Sequence, residues 1–296
     1  MQSSLALSIG LPVALVIIML GLGLSLRIED FTRVLAHPWA IVVGLVCQVA
    51  ILPALCFALV YLADLPPTIS VGMMLLAASP GGTSAAIYTH LARGDLALSL
   101  MLAAVTSVIA LFSLPIIVNL SLIAFYGEAS AVRLETYQVL QIFLIAIVPA
   151  LIGVFINSRY PATARLLDRP VKVLSTVFLV AVVLAALIGQ WELLVVWGPT
   201  VGVVALAFSI ISLSVGYGVP RLFNIERRQA VALAMSIAIH NAALVITLAM
   251  SEQMLDNPEM AIPPAAYGVI AYIAGGAFVW VLNRRVPTPR GSSVRL

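Results

Sequence analysis

The chain has 296 residues, 62% of them hydrophobic and 9% charged, with a mean hydropathy of +1.15 and a formal net charge of +3. A soluble domain carries about 25% charge, so a water-covered globular surface is excluded. The small basic excess is spread along the chain and excludes a nucleic-acid-binding domain.

A hydrocarbon core of about 30 Å needs roughly 20 helical residues. Nine apolar stretches meet that length: 4–26, 38–62, 67–92, 96–125, 136–157, 170–190, 195–219, 229–251 and 262–283. The chain therefore reads as an all-α polytopic membrane protein with nine transmembrane helices, a single membrane domain over 1–296. The first stretch has no basic residue before it and no small-residue cleavage pattern after it, so it reads as a retained span. The second carries Gln48 shortly before Pro53, placed either to cap a kink or to reach an internal cavity. Its Cys47 and Cys56 lie nine residues apart, about 13 Å along a helix, and cannot pair.

The third stretch ends in "SPGGTSAAIYTHLARGD", residues 79–95. Pro80 removes a backbone donor, and Gly81 and Gly82 loosen the chain, so a helix break is expected here. Free amides at Thr83-Ser84 would then face the bilayer middle, where an anion is favoured. A packing kink is the plainer alternative. In the Arg93-Gly94-Asp95 turn, Gly94 is expected to end one helix and Asp95 to cap the next. The fourth stretch holds Ser99, Thr106 and Ser107. Isolated hydroxyls of this kind are expected to bond back to their own helix.

The fifth to seventh stretches are apolar and carry no chemical motif. The eighth contains "SIAIHNAAL", residues 236–244, with His240 and Asn241 at depth and no Gly or Pro to signal a break. A structural, hydrogen-bonded histidine is the plainer reading of His240. Trp39, Trp191, Trp197 and Trp280 sit near span ends as interfacial anchors.

Nine spans place 14 of the 15 basic residues on one face, leaving only Arg133 on the other. The positive-inside rule then sets the N-terminus outside and the C-terminus in the cytoplasm. None of the charged residues falls mid-span, so the uncharged polar groups inside should point toward protein.

Together these residues resemble the bile acid:sodium symporter family. The likeness is carried by "IMLGLGLSLRIEDF" (18–31), "HPWAIVVGLVCQVAILP" (37–53), "LLAASPGGTSAAIYTHLARGDLALSL" (75–100) and the later "SIAIHNAAL". It implies two inverted repeats, the first truncated to four spans (4–125) and the second complete (136–283), with two discontinuous helices crossing near the midplane. It also implies a core of spans two to four and seven to nine, and a panel of spans one, five and six. Pro80, Gly81 and Gly82 would be one helix break. Thr83 and Asn241 match positions that approach a carboxylate ligand in relatives; Ser84 and His240 lie beside them and complete the expected substrate-binding set.

Sodium-coupled relatives read Thr-x-Ser-Asn after the Gly-Gly pair, where this chain has Ala85 and Ala86. The next hydroxyl position after Ser99 is Ala103. The relatives' Glu-x-Gly-x-Gln-Asn is replaced by Ser236-Ile237-Ala238-Ile239-His240-Asn241. Gln48 and Ser99 persist as ion-site remnants, with Ser236 standing where the carboxylate would be. Na⁺ wants several oxygen ligands, so the substitutions argue against sodium coupling. Two readings then stand side by side: an uncoupled facilitator, and a carrier in which His240 takes a proton instead.

The expected function is a secondary transporter moving a small organic anion by alternating access across a bacterial inner membrane. No resident cofactor or metal is expected. Alternatives are a sodium-coupled symporter with a rebuilt ion site and an anion-binding membrane sensor. An intramembrane enzyme using His90 and His240 ranks last, since neither has a carboxylate or Cys beside it.

Overall fold

A computed structural model describes residues 38–82, 84–127, 136–167, 191–251 and 254–284, with individual helical residues in 13–24 and 170–184. Thr83, most of the sixth expected span and the chain ends fall outside the described residues. All regular structure among the described residues is helical, apart from one isolated antiparallel bridge between Gly81 and His240.

The first complete span, α1 (Pro38–Leu62), is interrupted by a π-helical turn over Cys47–Ile51. Pro53 follows at once and its ring crowds the carbonyl four residues back, which explains the widened turn. The turn matters because it carries Gln48, which is buried. The next helix, α2 (Pro67–Ala78), starts on a proline and stops at Ser79, whose backbone is extended. After the break, α3 (Ala85–Leu91) completes the crossing and turns into α4 (Leu96–Tyr126). Asp95 caps α4 as expected, accepting from the Leu98 amide at 3.1 Å. Gly94 acts differently from the expectation. The left-handed residue is Arg93, with φ of 56°. A Cβ on Gly94 would lie 2.9 Å from Thr89 and Val231 methyl carbons, so the glycine is there for space.

Pro115 sits inside α4, whose halves Leu96–Ala110 and Phe112–Tyr126 diverge by 57°. The fifth helix, α5 (Thr136–Arg159), packs against the helical residues 13–24, with Gly23 and Gly153 at the contact. Then come α6 (Trp191–Leu222), α7 (Arg227–Ala238), a second break, α8 (Ala242–Met250) and α9 (Ile262–Arg284). Three described helices are long and apolar enough to cross a membrane, or four if the bent α4 is one span. The chain is thus a multi-pass helical membrane protein. Its outer faces carry exposed Val42, Ile116, Leu120, Leu151, Phe155 and Val269, which suit lipid rather than water.

The two half-helices that lead into the breaks are the most enclosed elements. Every residue from Ile69 to Ala78 in α2 and from Ala230 to Ala238 in α7 is buried. Lipid is as apolar as these side chains, so close packing rather than water exclusion holds them. Thr106 and Ser107 bond back to the Ala103 carbonyl as expected, as Ser121 does to Ile117 and Thr247 to Ala243, whereas Ser99 pairs with Thr89 of α3.

Candidate functional site

Two helices broken inside a membrane expose backbone groups that water cannot reach. Here each break satisfies the other. The Gly82 amide donates to the Ile239 carbonyl at 2.6 Å, and the Asn241 amide donates to the Pro80 carbonyl at 3.0 Å. Other groups find nearby partners: Ser79 N–H donates to Leu76 O, Ala85 N–H to Gly82 O, and the Tyr267 hydroxyl to Ala238 O at 2.7 Å. The antiparallel bridge between Gly81 and His240 joins the two breaks.

The glycines make that approach feasible. A Cβ on Gly81 would lie 2.7 Å from the Ser236 carbonyl oxygen, and one on Gly82 would lie 2.9 Å from that of His240. Neither distance is tolerable for a carbon against backbone oxygen. Pro80, Gly81 and Gly82 therefore form the break anticipated from sequence, and they also shape a second break that has no glycine of its own.

On one side of the crossing the surface is partly open. Asn241 is half-buried, and its side-chain oxygen caps α8 by accepting from the Leu244 amide at 3.1 Å. Its Nδ2 hydrogens have no partner among the described residues. Ser84 is also half-buried, and its hydroxyl lies 3.1 Å from the Tyr272 hydroxyl of α9. Thr83 lies outside the described residues. Ala85 is buried and Ala86 half-buried at the start of α3.

His240 faces the other way. Its ring is buried in the core, stacked on Phe208 at 5.7 Å between centroids and 15° between planes, and tilted against Tyr267 at 5.5 Å. Nδ1 lies 3.5 Å from the Ser79 carbonyl, the last acceptor of α2, and Nε2 has no partner among the described residues. Gln48 reaches the same carbonyl, its Nε2 donating at 3.0 Å, so the π turn of α1 aims the amide at the break. The sequence left open whether Gln48 caps a kink or reaches inward; it reaches inward. His240 was grouped by sequence with the half-open residues, and the structure puts its ring beside Gln48 and Ser79.

A second polar cluster lies between α3, α4 and α7. Thr89 Oγ1 donates to Ser99 Oγ at 3.1 Å, and Ser236 Oγ donates to the Ser99 carbonyl at 3.4 Å. All three side chains are buried; Thr89 and Ser99 bond through their hydroxyls, and Ser236 joins them through the Ser99 backbone. Ala103 contributes only its carbonyl, which is taken by Thr106 and Ser107. Among the described residues no three His, Cys, Asp or Glu side chains come together as metal ligands would. His90 sits exposed in the last turn of α3, away from His240 and its buried ring partners.

Sequence reasoning missed Ser79, Phe208, Tyr267 and Tyr272. The first contributes a backbone carbonyl and carries no side-chain signal. The aromatic residues lie on helices whose inward faces are not marked by any polar pattern.

Compared with known proteins, residues 12–197 match the sequence profile of the sodium bile acid symporter family. Over 277 residues, covering 94% of this chain and 84% of the relative, the chain is 25% identical to the uncharacterized sodium-dependent transporter YocS of Bacillus subtilis. It is 28% identical to the probable chloroplastic sodium/metabolite cotransporter BASS1 of Arabidopsis thaliana, over 93% of this chain and 67% of that one. It is 24% identical to the human ileal sodium/bile acid cotransporter, over 83% of this chain and 70% of the relative.

Proposed function

The chain belongs to the sodium bile acid symporter family, and from that premise we propose that it carries a small organic anion across a bacterial inner membrane by alternating access. Membership makes it a membrane transporter and not an enzyme. The anion is bound on the half-open side of the crossing by Ser84 and Asn241, with Thr83 added on its sequence position alone, and core and panel move relative to one another around it. The repeats are 4–125 and 136–283, and the N-terminus lies outside. The observation that carries this reading is Asn241. Its oxygen is committed to capping α8, so that only the amide hydrogens of this half-buried residue remain to meet a ligand at the crossing of two broken helices.

Sodium coupling through a side-chain cage does not fit the residues present. Thr89, Ser99 and Ser236 supply neutral hydroxyls and no carboxylate, and the positions that carry Ser and Asn in sodium-coupled relatives are Ala85 and Ala86. A hard cation needs several free oxygens and favours a carboxylate. Proton coupling is the second reading, supported by the Nε2 of buried His240, which has no partner among the described residues. Uptake that stays constant between about pH 5 and 8 would remove it.

The test is uptake of a panel of labelled carboxylates into proteoliposomes in matched sodium and choline buffers. Uptake equal in both is the expected result; uptake that needs sodium contradicts the uncoupled and proton-linked readings alike. The variant Ala85→Ser/Ala86→Asn/Ser236→Glu/His240→Gln should gain sodium dependence. A folded, active, sodium-insensitive variant contradicts the assignment of the lost positions.

A further inference from the structure

One face of α9 runs along the crossing through Gly268, Tyr272 and Gly275, spaced four and three residues apart and so aligned on one side of the helix. At one end, a Cβ on Gly268 would meet the Ala242 methyl at the start of α8 at 3.5 Å. At the other, a Cβ on Gly275 would lie 3.2 Å from the Tyr88 ring of α3. Tyr272 therefore stands between the two half-helices, one turn from Gly268 beside α8 and from Gly275, whose missing side chain leaves room for the Tyr88 ring. Its ring lies parallel to Tyr88, 5.9 Å between centroids and 8° between planes, and it remains 45% exposed. Its hydroxyl meets Ser84 Oγ at 3.1 Å.

Two hydroxyls that share one hydrogen bond use only one of their two protons. Whichever of Ser84 and Tyr272 donates, the other keeps an O–H for a ligand. Asn241, next to the Ala242 that Gly268 faces, adds two Nδ2 hydrogens that have no partner among the described residues. Every donor in this set is uncharged. Arg284, the first basic residue after Tyr272 along α9, is twelve positions away, about 18 Å along the helix.

We propose that Tyr272 is a substrate-contacting residue which, with Ser84 and Asn241, forms a neutral donor set selecting singly charged carboxylates over dianions. Neutral O–H and N–H donors suffice for one carboxylate, whereas a second charge needs a cationic partner to replace its hydration. The inference rests on the carrier reading above and specifies its ligand class.

The test uses the purified full-length protein and its ligand-dependent rise in thermal stability. The probes are 2-oxopentanoate, 2-oxoglutarate, which has the same chain length with a second carboxylate, and cholate as a bulky monocarboxylate. At least one monocarboxylate is expected to stabilise the wild type, with 2-oxoglutarate at least about tenfold weaker. Tyr272→Phe keeps the ring against Tyr88 and should weaken the monocarboxylate about tenfold, the scale of one hydrogen bond to a charged group. Ser84→Ala should do the same, and the double variant should lose little more, because the two hydroxyls act in series. Unchanged affinity in Tyr272→Phe, or equal affinity for 2-oxoglutarate, overturns this inference and leaves the carrier reading standing. Failure of all three acids to bind the wild type overturns the carrier reading itself, and this inference with it.

Discussion

The two breaks at the crossing are built from opposite materials. The first, between Ala78 and Ala85, carries Pro80, Gly81 and Gly82, residues that end a helix on their own account. The second, between Ala238 and Ala242, consists of Ile239, His240 and Asn241, none of which forbids a helix. Its Ile239 is nonetheless extended, at φ −99° and ψ 90°. What holds it open is the first break: Gly82 donates to Ile239, Pro80 accepts from Asn241, and the two glycines leave room for Ser236 and His240 oxygens. One pair of glycines thus serves two helices. The side chains spared at the second break are free to cap α8, as Asn241 does, and to fill the core, as His240 does.

If that dependence is real, the largest effect should come from the first break. A methyl group on either Gly81 or Gly82 is set against backbone oxygen, so Gly82→Ala should cost about 1–3 kcal/mol or more. Thermal unfolding in detergent reads this directly, and uptake should be lost with it. A Gly82→Ala protein as stable and active as wild type would mean the two breaks are independent.

The next test separates satisfaction of the backbone from ligand binding. Gln48→Leu strips the Ser79 carbonyl of its closest donor and should cost about 1–3 kcal/mol, the penalty of a buried polar group left short. Stability unchanged in this variant would indicate that His240 alone satisfies that carbonyl.

Asn241→Asp sharpens the comparison in a different way. The carboxylate can still accept from the Leu244 amide, so the cap and the stability are kept. A negative charge then stands where an anion should bind, and uptake should fall by more than tenfold. Asn241→Ala should instead lose about 1 kcal/mol of stability together with uptake. Normal uptake in a folded Asn241→Asp protein would move the anion site elsewhere.

The smallest effect is expected from Thr89→Val combined with Ser99→Ala. Removing both partners of a hydrogen bond at similar shape is close to neutral. Stability should change by less than about 1 kcal/mol and uptake should be retained, since these hydroxyls hold each other and not an ion.

How much of this was legible in the sequence follows the same contrast. The expected spans at 38–62, 67–92, 96–125, 195–219, 229–251 and 262–283 reappear as helices within a few residues, because long apolar runs leave the backbone no other partner. The first break was legible residue by residue. The second was visible only through the family resemblance, because its cause lies in another helix about 160 residues away. Gly94 was read as a helix terminator by its local chemistry, yet Arg93 takes the left-handed conformation and Gly94 yields space to Thr89 and Val231. Tyr272 escaped notice because a tyrosine among apolar residues gives no sign of which face meets the crossing. Only the glycines at Gly268 and Gly275 mark that face, and they acquire meaning once their neighbours are known.

The account's central claim is that this crossing holds an anion without a side-chain sodium cage. The most direct measurement is the apparent melting temperature of the purified protein titrated with NaCl, against KCl and choline chloride at matched ionic strength, since an ion that binds the folded state raises it. The account predicts three superimposable curves. A saturable rise specific to sodium would contradict it, and would mean that backbone carbonyls at the breaks, together with Gln48, have rebuilt the site.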